Sequence, residues 1–482
     1  MLMAQKEWQL NPFPSPSSNW VLDLLHFAES LGEKCYVLLE GNELEHQRTY
    51  MGFGEGWVLT PDTWQKAQPP DPLEHLRSFH TENFPSGNSA NFVNPASGIM
   101  GYLDYEWGLL WQKPKATTAK PGYFFRLCPI NLVLLPSEKK VILEVFSQEK
   151  AQLEQNYHRW STNLERWLKE QEYPSTQKLL IEQSKHEKSH KDQLPKVLAP
   201  APWKPNMSQN EFLSKVQRIK EYIRAGDIFQ AVLSQRFTLK RTVDPWQTYA
   251  RLRLANPSPW LFCVFGEKET LVGSSPELLL STLGNRIQTR PIAGTRPRGK
   301  TFEEDKALEQ ELLQDTKELA EHAMLVDLGR NDLGRVCRYG SVKVSDYCTI
   351  QRFSHVMHIV STVEGELAPA CDSLAALQAV LPAGTLSGAP KVRAMEILQE
   401  LEPQRRGPYG GALGIYRWNG DLDFCITIRT LCIRKDEVSV QSGAGIVYDS
   451  LPQREYEETL HKANALFQVV KAKEVPHAGC LR

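Results

Sequence analysis

Apolar positions along this chain follow two rhythms. Short runs rich in β-branched and aromatic residues, such as Cys35–Leu39 and Ala231–Leu239, have the length and composition of strands. The stretch from Gly122 to Phe146 has the same character and is interrupted by Pro129 and Pro136. Trp260–Phe265, Thr270–Val272, Val342–Ser345, His355–Val363 and Phe424–Ile433 are further strand candidates. Short turns at Gly266–Glu269 and Gly284–Asn285 join neighbouring runs, which predicts extensive antiparallel pairing and argues against a purely parallel sheet. A helical rhythm marks Lys150–Gln171, with a stripe at Leu153, Tyr157 and Leu164, and also Phe302–Leu325, Ser373–Val380, Ala389–Glu400 and Arg454–Val470. Ser208 followed by Glu211 is a capping box opening another helix, which closes near Gly226.

Polar composition divides the chain. Residues 15–165 are rich in Trp and other aromatics and read as an accessory or regulatory region. Residues 170–205 carry Lys178, Lys185, Lys188 and Lys191 among Glu, Gln, His and Ser, with little to bury, and read as a polar linker or mobile loop stiffened by Pro200, Pro202 and Pro205. Residues 206–472 alternate strands and helices and form the candidate catalytic region.

Lys and Arg number 56 and Asp and Glu 57 in 482 residues, a net charge of −1. That balance gives no electrostatic reason to expect nucleic acid or a membrane surface as a partner. No run approaches the roughly 18 apolar residues of a spanning helix, and MLMAQKEWQLNPF has no apolar core of a signal peptide. The 9 cysteines are scattered without a CxxC pair, which fits idle thiols in a reducing compartment. A cytoplasmic enzyme is expected.

Two acid pairs stand out. Glu318 and Glu321, and Glu455 and Glu458, are each three apart on a predicted helix, so each pair shares a face. If the pairs meet, they form an oxygen-only site suited to Mg²⁺; if not, they are solvated acidic faces. Lys462 lies on the face of Glu458, four residues on, and can neutralise it or clamp an anion. Arg429 falls inside an apolar run, where its charge must be paired, either in a structural ion pair or as a carboxylate clamp. A Gly443–Ala444–Gly445 turn would present backbone N–H groups to an anion. Gly384-Thr-Leu-Ser-Gly-Ala-Pro-Lys391 enters a helix with Pro390 near its first position, another anion-friendly feature. His358 sits in an alternating strand, as a structural hydrogen-bonder or an acid–base group. No dinucleotide fingerprint, P-loop, HExxH, zinc spacing or GxSxG occurs.

The segments GDIFQAVLSQRF (226–237), NPSPW (256–260), SSPELL (274–279), RPIAGTRPRG (290–299), EHAMLVDLGRNDLGRV (321–336), HVMHIVSTVEG (355–365), GTLSGAPKVRAMEIL (384–398), GPYGGALG (407–414) and SGAGIVYDSLPQREYEET (442–459) resemble those of the chorismate-utilising enzymes. Within that family they are most similar to the anthranilate synthase large subunit. The resemblance is strong over 205–470. It implies an α/β (α+β) fold of two layers of antiparallel sheet packed face to face, with outer helices and a Mg²⁺-dependent site for chorismate between the layers. It implies Glu318, Glu321, Glu455 and Glu458 as metal-binding acids. Arg429, Gly443, Ala444, Gly445 and Lys462 resemble carboxylate binders. Tyr409 and Thr385 resemble ring-side contacts, His358 the acid–base, and Glu277 the acid assisting loss of the C4 hydroxyl.

Branch positions of the family are also legible. Gln230 stands where water-adding relatives carry a Lys, and a neutral amide cannot deprotonate water, which implies ammonia as nucleophile. Ala293 stands where many aminodeoxychorismate synthases carry a nucleophilic Lys, and a methyl group cannot do covalent catalysis. The implied reaction is ammonia addition at C2 of chorismate, loss of the C4 hydroxyl and elimination of pyruvate to give anthranilate. The alternative is an aminodeoxychorismate synthase. No glutaminase domain is recognised, so a glutamine amidotransferase subunit is the implied ammonia source. Gly41 follows Leu38-Leu39-Glu40 where the family's anthranilate branch usually has Ser, which implies that tryptophan feedback is weakened, lost or arranged differently.

Overall fold

The computed structural model describes residues 1–10, 20–42, 47–63, 71–83, 96–112, 121–172, 203–353 and 356–471. His355 and most of the polar linker, residues 173–202, lie outside the described residues.

Two antiparallel sheets account for the described strands. The first has twelve strands among the described residues. In spatial order it runs Leu2–Gln9, Lys140–Ser147, Ile130–Leu135, Gln47–Phe53, Cys35–Asn42 and Trp260–Phe265. It continues through Thr270–Ser275, Thr430–Arg434, Glu437–Ile446, Gln230–Lys240 and the short Gly388–Ala389, with Lys204–Pro205 also pairing to Gln230–Lys240. The second, of ten strands among the described residues, runs Ile292–Pro297, Val356–Glu366, Arg286–Thr289, Leu278–Leu283, Leu422–Ile426, Ala412–Arg417, Gly98–Leu103, Tyr123–Leu127 and Trp57–Leu59. Lys343–Arg352 pairs with the outer side of Val356–Glu366. In each sheet the strands from before residue 165 form one contiguous block joined edge to edge to a block of later strands, Cys35–Asn42 to Trp260–Phe265 in the first and Gly98–Leu103 to Ala412–Arg417 in the second.

The period of two decides the layering. Leu38 packs outward with the helices on the first sheet, while Val37 and Leu39 face inward. On the second sheet Leu413 and Ile415 face inward, and Ala412 and Tyr416 outward. The inner layer is closed by Phe262, Tyr50, Phe124 and Trp260. Helix Lys150–Glu172 covers the first sheet with Trp160 and Leu164, both fully buried. Helix Gln209–Arg224 opens on the expected capping box, Ser208 with Glu211, worth about 1 kcal/mol. Among the described residues no helix is long and apolar enough to cross a membrane, and the described cysteines are free thiols.

Three local expectations are corrected. The predicted helix Phe302–Leu325 is two helices, Phe302–Gln314 and Thr316–Gly334, because the Asp315 side chain accepts from the Lys317 and Glu318 N–H groups and starts a new helix. The predicted strand Phe424–Ile433 is also two, Leu422–Ile426 in the second sheet and Thr430–Arg434 in the first. Arg429 is in the crossing between them, with a left-handed φ of 51°, not in mid-strand. Pro390 is the N-cap residue of helix Lys391–Leu401, one position earlier than expected, and the preceding Gly388–Ala389 pairs with Gln230–Ala231.

Candidate active site

Two of the places where the chain passes from one sheet to the other are adjacent, and a candidate residue stands at each. Glu277 lies between Thr270–Ser275 of the first sheet and Leu278–Leu283 of the second. Arg429 lies in the crossing after Leu422–Ile426. The two crossings are stitched together: Ile426 N–H donates to the Glu277 carbonyl at 3.0 Å and Ser274 N–H to the Arg429 carbonyl at 3.1 Å. Where the sheets part, a cavity of about 710 Å³ opens. It is lined by Gln230, Glu277, Glu318, Glu321, His358, Thr385, Tyr409, Arg429, Gly443, Gly445, Glu455, Glu458 and Lys462. Of the candidate positions only Ala444 does not line it.

The acid pairs arrive on helices that pack against different sheets. Thr316–Gly334 packs on Ile292–Pro297 and Val356–Glu366, and brings Glu318 and Glu321. Its far end is pinned by a buried ion pair, Lys391 to Asp332 at 2.6 Å, whose loss of one partner costs about 3–5 kcal/mol. Pro452–Lys471 packs on Glu437–Ile446 and brings Glu455 and Glu458. Burial raises the pKa of Glu318, Glu321 and Glu455, and repulsion from Glu458 adds to all three. Glu318 and Glu321 therefore sense Glu458 across the cavity, and the oxygen-only chemistry of the four carboxylates fits a hard divalent cation. They are not drawn into a tight cage: among the described residues no three His, Cys, Asp or Glu side chains stand close enough to hold a metal ion. The expectation of four acids converging on one ion is met only as far as a shared cavity.

Cations oppose the acids. Lys462 Nζ lies 2.6 Å from Glu458 Oε1 and donates to the Gly443 carbonyl at 3.1 Å. Arg429 is half-buried and its Nη1 donates to the Lys462 carbonyl at 2.9 Å. Burial depresses its pKa, which Tyr409 and Glu458 oppose. Gly443–Gly445 is not a turn but the end of strand Glu437–Ile446, paired with Ser234, Leu233 and Val232. Because the Gly443 carbonyl reaches Lys462, the alternation of the ladder turns the N–H groups of Gly443 and Gly445 away from strand Gln230–Lys240, while Ala444 bonds into it. Pairing to Thr430–Arg434 stops at Val440, so this edge is left open toward the cavity.

Glu277 is 7% exposed, and burial pushes its pKa up to about 8 against the Thr385 hydrogen bond, the Lys462 charge and the Ile292 N–H. Thr385 Oγ1 donates to Glu277 Oε1 at 2.8 Å. His358 Nδ1 lies 2.8 Å from the Gly294 carbonyl, with Thr295 Oγ1 3.0 Å away. A carbonyl only accepts, so Nδ1 carries the proton of the neutral ring and Nε2 is its basic nitrogen. Burial lowers the His358 pKa, assisted by Arg429 and Lys462. Gln230 Nε2 donates to Glu321 Oε1 at 3.1 Å, while its Oε1 is buried without a hydrogen-bond partner among the described residues. Ala293 lines the cavity beside Gly294 and Thr295.

Sequence reasoning passed over Lys317, Gly294 and Thr295. Lys317 lines the cavity and lowers the pKa of Glu318, Glu321 and Glu455. Its opposite sign within an acidic helix start was the available signal. Gly294 has φ +64°, and the backbone turn there lets its carbonyl meet His358.

A crevice between two antiparallel sheets is lined by four carboxylates and by the half-buried Arg429 and Lys462, an arrangement of opposed charges within one cavity. Residues 34–468 match the chorismate binding enzyme family, and the chain belongs to it. It is 40% identical over 469 residues to anthranilate synthase component 1 of Acinetobacter calcoaceticus, covering 92% of this chain and 90% of that protein. A shorter match, 53% identical over 266 residues, links it to anthranilate synthase component 1 of Acetivibrio thermocellus, and spans about half of that relative's length (54%). The crystal structure of anthranilate synthase component I from Streptococcus pneumoniae TIGR4 superposes with a TM-score of 0.67 at 33% identity, covering 90% of this chain and 92% of that one.

Proposed function

We propose that this protein is the chorismate-converting component of an anthranilate synthase, releasing anthranilate, pyruvate and water from chorismate and ammonia. The observation that carries the reading is Gln230. Its neutral amide is held on Glu321 and leaves a buried oxygen without a protein donor, which suits an N–H of ammonia and cannot deprotonate water. Similarity to anthranilate synthase component 1 of Acinetobacter calcoaceticus over 90% of that protein supports the same branch.

In this reading Arg429 and the open N–H groups of Gly443 and Gly445 hold carboxylates of the substrate. Lys462 stays on Glu458 and keeps the edge of the strand in place. Glu277, protonated below pH 8, gives its proton to the departing C4 hydroxyl as ammonia adds at C2. His358, neutral with Nε2 free, takes the C2 proton as pyruvate leaves and the ring becomes aromatic. Glu318, Glu321, Glu455 and Glu458 would hold Mg²⁺, which supplies Lewis-acid stabilisation of the substrate's developing charge. Ala293 offers no amine, so no covalent adduct with the chain forms at that position. A separate glutamine amidotransferase would deliver ammonia, and ammonium at high pH would replace it.

The test is anthranilate fluorescence from chorismate, ammonium and Mg²⁺. Blue-fluorescent product with stoichiometric pyruvate is expected. Accumulation of an aminated chorismate without pyruvate would instead assign the aminodeoxychorismate branch.

A further inference from the structure

Arg406 lies behind the cavity wall and does not line it. It is 2% exposed, and its guanidinium is spent on three segments that do line the cavity. Nη1 donates to the Leu386 carbonyl at 2.5 Å and Nη2 to the Val232 carbonyl at 2.6 Å. Its Cζ stands 5.8 Å from the Tyr409 ring centre, with the Tyr105 ring on it at 4.4 Å. Leu386 follows Thr385, whose hydroxyl is the hydrogen-bond donor to Glu277.

The charge is balanced by Glu402, which accepts from Nε at 2.8 Å and Nη2 at 2.7 Å. Glu402 also accepts from the Ser234 N–H at 2.9 Å and hydroxyl at 2.8 Å. Glu106 accepts from the Arg406 backbone N–H at 2.7 Å. An ion pair alone could be met by lysine. A planar fork that spans two carbonyls and a carboxylate while stacking on a ring cannot.

We propose that Arg406 is a positioning residue for the reaction: by bracing the Leu386 and Val232 carbonyls and the Tyr409 ring, it holds the Thr385 hydroxyl on Glu277. The groups facing Glu277 are Thr385, the Lys462 charge and the Ile292 N–H. Of these, Thr385 is the one adjoining a segment that Arg406 braces. The kinetic part of the proposal rests on the chorismate reading; the effect on Glu277 does not.

The test uses the full chain and Arg406→Lys, which keeps the charge opposite Glu402 and removes the fork. The Glu277 carboxyl is titrated by ¹³C NMR with labelled glutamate, its signal identified by Glu277→Gln. Arg406→Lys is expected to raise the Glu277 pKa by about half to one unit, as Thr385→Val does, and the double variant by no more than either. Ammonia-dependent kcat is expected to fall about tenfold while KM for chorismate moves less than twofold, because the carboxylate binders are untouched. An unchanged Glu277 titration in Arg406→Lys, or shifts that add in the double variant, would overturn the proposal. A wild type that titrates Glu277 as expected but converts no chorismate ends the reading of the reaction and leaves the titration to decide the role of Arg406. If Arg406→Lys does not fold, the paired Glu402→Gln/Arg406→Gln, which removes both buried charges, is read by the same criteria.

Discussion

Gln230 and Glu321 meet at 3.1 Å across the cavity, joining the last residue pair of the first sheet to a helix carried by the second. A Cβ on Gly445 would stand 2.6 Å from Gln230 Nε2, so that glycine is needed for the contact. Gln230→Leu is expected to lower kcat/KM for ammonia about 10- to 100-fold, the equivalent of the roughly 1.5–3 kcal/mol of a hydrogen bond to a charged group. Gly445→Ala should give a similar loss by pushing the amide aside. Steady-state kinetics at varied ammonium, with thermal melts to show intact folds, check both.

Glu277 sets an alkaline limit. Its folded-state pKa is about 8, against about 4.3 in an unfolded chain, so it remains a proton donor until the pH passes 8. Under the proposed mechanism kcat falls as pH rises through that value, and Glu277→Gln removes the limb along with most activity. Between the two pKa values the folded protein binds the extra proton, so stability falls as pH rises across that window. Glu277→Gln should therefore melt higher than wild type at pH 9, which a pair of calorimetric scans would show.

The carboxylates of Glu318, Glu321 and Glu455 are held above their usual range by burial and by the charge of Glu458. A divalent cation relieves that repulsion. Millimolar Mg²⁺ is expected to raise the melting temperature of the wild type and to fail with Glu321→Gln or Glu458→Gln. Apparent Mg²⁺ affinity should weaken as the pH is lowered, because protons compete for the same oxygens. A Mg²⁺ titration followed by thermal shift at two pH values measures it without any turnover.

Gly41 lies against Trp260 and Asp423: a Cβ there would be 3.3 Å from Trp260 Nε1 and 3.4 Å from Asp423 Oδ2. The neighbouring Glu40 is occupied by Arg253 at 2.9 Å and by the Tyr249 hydroxyl. Crowded in this way, the position leaves little for an amino-acid effector to grip. Millimolar tryptophan is expected to leave chorismate conversion within twofold of its uninhibited rate; tight inhibition would contradict this.

Much of the site could be read from spacing because helices repeat. Glu455 to Lys462 lie on one helix, and of the two roles open to Lys462, neutralising Glu458 or clamping an anion, the contact with Glu458 is present at 2.6 Å. Spacing puts Glu318 and Glu321 on one helix face but not on a helix beginning at Thr316, since a single aspartate, Asp315, caps a new one inside a continuous apolar rhythm. Arg429 and the glycines at 443 and 445 were misread locally for a different reason. An apolar run looks the same whether it continues in one sheet or changes to another, and a small-residue stretch looks like a turn whether or not a strand pairs with it.

Period, caps and motif order in the sequence by themselves determine part of the strands, the longer helices, the antiparallel pairing and the family, but do not mark strands such as Leu2–Gln9, Gly98–Leu103 and Ala412–Arg417 or helix Trp20–Ser30. What they determine depends on contacts between residues near in the chain, or on patterns repeated in relatives. Tertiary structure alone decided that one acid pair rides on each sheet, that Glu277 and Arg429 occupy adjacent crossings, and that Arg406 braces the wall behind them. Those relationships join residues up to hundreds of positions apart, and only the packing of two sheets around one inner layer brings them within hydrogen-bond distance.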